Sequence, residues 1–169
     1  MDRFNTGGMP IVRIGNRMFK YVEQMRLIFG YDASLSSISG FRKDGVVFER
    51  NVEEDEIESA YFVSNTLGLY LNYKVRVVKY NQESNEILVV FDNADGIAAG
   101  ITPKIDEFDK NNKYYEAYVP DEDVKEIYEV REPEKGFVFD SPRIVFYKRD
   151  GKWLPWHELG ALLKDDEWI

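Results

Sequence analysis

From Tyr73 onward the apolar residues recur at every second position, a spacing that an α-helix cannot place on one face. Val75 and Val77 share a face of a predicted strand Lys74 to Tyr80. Asn81-Gln82-Glu83-Ser84-Asn85 supplies the turn, and Ile87 to Phe91 returns as a buried strand. A long connection, Asp92 to Asn112, carries Gly96, Gly100 and Pro103, a length that marks a functional loop or an insertion. Tyr114 to Val119 then reads as a strand, Pro120-Asp121-Glu122-Asp123 as a tight helical turn, and Lys125 to Arg131 as another strand. Beyond the polar stretch Glu132-Pro133-Glu134-Lys135-Gly136, the segments Arg143 to Lys148 and Lys152 to Leu154 bracket Arg149-Asp150-Gly151 as a further hairpin.

The first third reads differently. Met18, Tyr21, Val22, Met25, Ile28 and Phe29 recur at three- and four-residue steps, which predicts an amphipathic helix over 17–29, capped by Asn16 and ended by Gly30. Ile38 to Arg42 and Val46 to Arg50 flank Asp44-Gly45 as a hairpin. Asn51 followed by Glu53, Glu54, Asp55 and Glu56 predicts a second helix, stopping near Asn65 to Gly68, because carboxylates offset the positive end of a helix dipole. A last short helix is expected from Pro155 or Trp156 through Lys164.

The order of elements over 73–131, with a short 3₁₀-like turn after Val119-Pro120 before a closing strand, resembles the SH3-like small β-barrel. That resemblance implies a fold for the segment and no activity. The expected fold class is therefore α+β: an antiparallel, SH3-like partly open barrel or strongly curved sheet with two to three short helices. Residues 1–72 (helix, hairpin, helix), the barrel-like 73–131 and the C-terminal 132–169 are expected to form a single domain, since no Gly-, Pro- or Ser-rich linker separates them near Tyr73.

With 44% hydrophobic and 15% aromatic residues, the 169-residue chain has material for a packed core. Asp and Glu number 31 against 22 Lys and Arg, a formal charge of −9, which weakens a direct nucleic-acid binder. The charge is uneven: residues 1–50 sum to +3 and residues 51–169 to −12. There is no cysteine, which excludes disulfides, thiolate metal sites and cysteine nucleophiles. No apolar run reaches membrane-spanning length and the N-terminus lacks a signal-peptide core, so a cytoplasmic location is the expectation.

His157 is the only histidine, which removes a two-histidine metal site; beside Trp153 and Trp156 it reads as packing or capping. Asp92-Asn93-Ala94-Asp95-Gly96 fails as an EF-hand loop, since Ala94 and Gly96 stand where oxygen ligands belong. No glycine cluster matches a phosphate-binding loop and no serine sits in a nucleophile-elbow frame. No cofactor is expected.

Three acidic clusters and the aromatic residues carry what remains. The clusters are Glu53 to Glu58, Asp106-Glu107-Asp109, and Asp121-Glu122-Asp123 with the carboxylates that follow; a solvated face is their commonest use. Tyr114, Tyr115, Tyr118, Trp153, Trp156 and Trp168 offer contact area at low entropy cost. In size, charge, missing cysteine and this composition, the chain resembles bacterial immunity proteins and phage-type inhibitors of nucleic-acid-binding proteins. The resemblance implies an inhibitor that covers the basic surface of a toxin or nuclease. Asp106, Glu107, Asp109, Tyr115, Asp121, Glu122, Asp123 and Trp153 are the expected contact residues. An SH3- or Tudor-like module reading a peptide or modified tail is one alternative, and a metal-dependent enzyme using carboxylates is another.

Overall fold

A computed structural model of the chain describes residues 8–30 and 33–154. Its contacts divide these residues into two compact units: a first of 8–30, 33–64 and 131–143, and a second of 65–130 and 144–154.

The first unit is an antiparallel sheet. Its strands are β1 (Ile11–Ile14), β2 (Arg17–Val22), β3 (Leu27–Gly30), β4 (Arg42–Asp44), β5 (Val47–Asn51) and the leading part of β6 (Ser59–Tyr70), in the order β4-β5-β3-β2-β1-β6. β1 sets the register on both sides, with Val12 opposite Phe19 of β2 and Ala60 of β6. Val12, Phe19, Tyr21, Ile28, Leu35, Phe48, Val52, Ile57 and Ala60 form its core. A hairpin stands where the sequence predicts one, but its first strand is 42–44 rather than 38–42 and its turn is Gly45-Val46, with Gly45 in the left-handed region at φ 59°.

Both helices predicted for this region are absent, and the α+β expectation of an SH3-like partly open barrel with two to three short helices is corrected. Strand accounts for 53% of the described residues and helix for 14%, the latter being one α-helix and isolated 3₁₀ turns. Over 17–29 the periodicity also fits two strands. Phe19, which the helical stripe leaves out, is buried with Met18 and Tyr21, while Met25 is 62% exposed in a 3₁₀ turn between β2 and β3. Aromatic and β-branched residues fit a pleated surface better than a helix, and neighbouring strands decide between the two. The cap signal after Asn51 is real but short. Glu53 and Glu56 form a reciprocal capping box around a single 3₁₀ turn, Glu54–Glu56, and the chain then extends into the twelve residues of β6.

The second unit follows the period-two reading. β7 (Tyr73–Asn81), β8 (Glu86–Phe91), α1 (Asn93–Ala98), β9 (Lys104–Ile105), β10 (Lys113–Pro120), β11 (Val124–Pro133), β12 (Ile144–Arg149) and β13 (Lys152–Trp153) follow in chain order. The trailing part of β6 pairs with β7, β7 with β8, β8 with β10 and β10 with β9, all antiparallel. Val77 lies opposite Val89, Val89 opposite Ala117 and Phe91 opposite Tyr115, so one face of the sheet is apolar and buried. The β12–β13 turn takes Asp150 and Gly151 at φ 51° and 75°, the two positive values a type I′ hairpin needs.

Candidate functional site

The long connection between β8 and β10 holds two structured pieces and a projecting loop. α1 lies against β10, where Gly96 leaves no room for a side chain: a Cβ there would stand 2.4 Å from Cγ of Tyr115. Tyr115 is thereby packed beneath the helix and 8% exposed, while Tyr114, on the other face of β10, is half-buried. β9 pairs Lys104 with Tyr114, and the Lys104 ammonium donates to Glu116. That hydrogen bond raises the Lys104 pKa against the opposing effect of burial.

Beyond β9 the chain turns back through 106–112. Oδ1 of Asp106 accepts the backbone N–H of Phe108 at 2.8 Å and of Asp109 at 3.3 Å, and Oδ1 of Asp109 accepts that of Asn111 at 3.0 Å. Backbone bonds from Asp106 N–H to the Asn112 carbonyl and from Asn112 N–H to the Asp109 carbonyl close the loop. Two of the three predicted carboxylates therefore hold the loop's shape with one oxygen each. At its tip Phe108 is 99% exposed, between the exposed Glu107 and Asp109. The sequence reading passed over Phe108, although an aromatic residue among three carboxylates was visible there.

The second acidic turn has an internal use. Asp121–Asp123 is a 3₁₀ turn between β10 and β11. The Lys148 ammonium, on a side chain with no solvent exposure, donates to the Asp121 carboxylate at 3.0 Å and to its carbonyl oxygen. Trp153 Nε1 donates to the same carboxylate, and its ring packs on Tyr80 with centroids 5.2 Å apart. The carbonyl of Asp123 accepts the N–H of Leu71, and that of Glu122 accepts Lys125 Nζ. The structure thus joins Asp121 to Trp153 as a structural fastener, leaves the Glu122 side chain exposed, and places Asp106, Glu107 and Asp109 together in a different loop.

A cleft of about 410 Å³ lies over β6, β7 and β8 of the second unit, its lining including the buried Val75 and Phe91. The alternation that turns Val75 and Val77 inward turns Lys74 and Arg76 outward. Arg76 lies in register between Leu67 of β6 and Val90 of β8, and these two half-buried residues form the apolar floor. Asn65 and Asp92 complete the rim. Among the described residues neither Lys74 nor Arg76 has an ion pair. The signal that could have found this cleft is the run Lys74-Val75-Arg76-Val77, two cations alternating with valines in the acidic part of the chain.

Among the described residues no three His, Asp or Glu side chains are grouped to hold a metal ion. No helix there is long and apolar enough to cross a membrane. His157, Trp156, Trp168 and the predicted terminal helix lie outside the described residues.

A family model described as Uncharacterised conserved protein UCP033725 matches residues 16–135. The chain belongs to that family. Neither a curated protein nor a solved structure matches. The matched span contains the Phe108 loop and the whole lining of the cleft, and ends before Lys148 and Trp153.

Proposed function

We propose that the chain is an acidic protein-binding inhibitor that covers the basic surface of a partner such as a toxin or nuclease, acting in the cytoplasm. The observation that supports this reading is Phe108, 99% exposed at the tip of a loop whose backbone is tied by the Asp106 and Asp109 carboxylates. An exposed aromatic ring offers contact area at low entropy cost, and aromatic anchors dominate binding energy where they enter a partner's pocket. A loop already held in shape loses less entropy on docking. The remaining carboxylate oxygens and Glu107 supply negative charge around the anchor, which speeds encounter with a basic surface and takes the place of phosphate upon it.

The test is capture from native lysate by the wild type and by Phe108→Ser, at about 0.05 M and about 0.5 M salt. The expected result is one basic protein held by the wild type at low salt, released at high salt and lost by the variant, with its own activity suppressed by equimolar chain. Identical captures by the two forms, or a partner whose activity is unchanged, would overturn the reading.

A further inference from the structure

We propose that the Phe108 loop of one copy of this chain docks into the Lys74–Arg76 cleft of a second copy. The cleft has an apolar floor, Leu67 and Val90, and two rim cations without an ion pair among the described residues. The loop presents the complement: one exposed aromatic ring between Glu107 and Asp109, with Ile105, 56% exposed, just before it. The volume of about 410 Å³ accommodates a phenyl ring together with part of the loop that carries it. Asp92 is the one rim carboxylate set against the two cations, so the local field favours an anionic occupant on a chain whose net charge is −9. Acidic segments of other proteins share this chemistry; the second copy is favoured because the same chain carries an aromatic knob with carboxylates on both sides.

Loop and cleft are different patches, so the contact is head-to-tail rather than self-complementary. One ring and a pair of charge contacts bury far less than the roughly 1,000 Å² of a stable complex, so the contact is a weak one. The inference does not depend on the inhibitor reading, because association is measured with the chain alone.

The experiment is sedimentation equilibrium of the full chain up to about 1 mM, for the wild type, for Phe108→Ser, for the double variant Lys74→Glu with Arg76→Glu, and for an equal mixture of the two variants. All the substitutions are at exposed positions, and circular dichroism checks that each variant folds. The wild type is expected to show a mass that climbs with concentration. Each variant alone should stay monomeric, having lost one of the two patches. The mixture should form one-to-one dimers and nothing larger, since only one intact loop and one intact cleft meet. A wild type that stays monomeric throughout, a charge-reversed variant that associates as the wild type does, or a mixture that stays monomeric would overturn the proposal. Capture of a partner by the charge-reversed variant, which keeps its loop, tells failure of this contact apart from failure of the inhibitor reading.

Discussion

The indole N–H of Trp153 reaches both carboxylate oxygens of Asp121, 3.1 Å from each, across 32 positions of sequence. The same carboxylate takes the buried ammonium of Lys148, so one acidic side chain ties the 3₁₀ turn before β11 to the β12–β13 hairpin. A carboxylate that the sequence offers as a contact for a partner is used within the second unit.

Removing it leaves Lys148 charged and buried without its counterion. Asp121→Ala is expected to lower unfolding free energy by about 3 to 5 kcal/mol, the range for breaking a buried ion pair. Its neighbour Glu122, exposed, should change stability by less than about 0.5 kcal/mol as Glu122→Ala. Urea titration followed by tryptophan fluorescence measures both, and equal midpoints for the two variants would refute the fastening role.

Gly96 is required by contact rather than by conformation. A methyl group there would meet Cγ, Cβ and Cδ1 of Tyr115 at 2.4 to 2.8 Å. Gly96→Ala should therefore cost about 1 to 3 kcal/mol through overpacking, despite alanine's better helix propensity. Removing Cγ and Cδ1 in the pair Gly96→Ala with Tyr115→Ala should recover part of that loss, a non-additivity read from a double-mutant cycle of melting curves.

In the first unit the Tyr21 hydroxyl is buried and, among the described residues, has no hydrogen-bond partner. Burial raises its pKa above the usual 10.0, the nearby Glu54 and Glu23 raise it further, and Arg26 opposes them. Because the native state holds this proton more tightly than the unfolded chain, its contribution to stability is intact below pH 10.0 and is lost as pH rises through the raised native value. Tyr21→Phe should flatten that alkaline decline. It should cost little at neutral pH, since no hydrogen bond is lost. Urea midpoints between about pH 8 and about pH 11 report both effects.

The role proposed for Phe108 is in recognition and not in folding. Phe108→Ser should leave the melting temperature within about 2 °C of the wild type, as expected for a surface change of under 0.5 kcal/mol. A larger fall would mean that the ring packs against the protein, contrary to its 99% exposure.

Much of the second unit was legible in the sequence because its information is local. The strand predicted over Lys74 to Tyr80 is β7 with one residue added at each end, and the tight turn at 121–123 stands where Pro120 and three acidic residues put it. The 17–29 segment of the first unit was not legible because Met18, Tyr21, Val22, Ile28 and Phe29 satisfy a helical stripe and also lie in two strands, with Met25 in the turn between them. β1, lying between β2 and β6, settles the matter by pairing. At the candidate site, the exposure of Glu107 and Asp109 followed from their place in a long loop. The capture of Asp121 did not, because Lys148 lies 27 residues away and Trp153 lies 32. Tyr114 and Tyr115 point to opposite faces as strand geometry demands, but only the helix over β10 determines which is covered.

Val130 and Ile144 stand directly opposite each other in the β11–β12 ladder. The excursion of residues 131–143 into the first unit therefore leaves and rejoins the second at a single rung, as a domestic insertion at a hairpin tip would. Along the chain, the second unit runs from 65 to 154 and is interrupted once, by 131–143. A two-residue turn in place of that passage is the shortest edit that would give an engineer the Phe108 loop and the cleft on a smaller carrier.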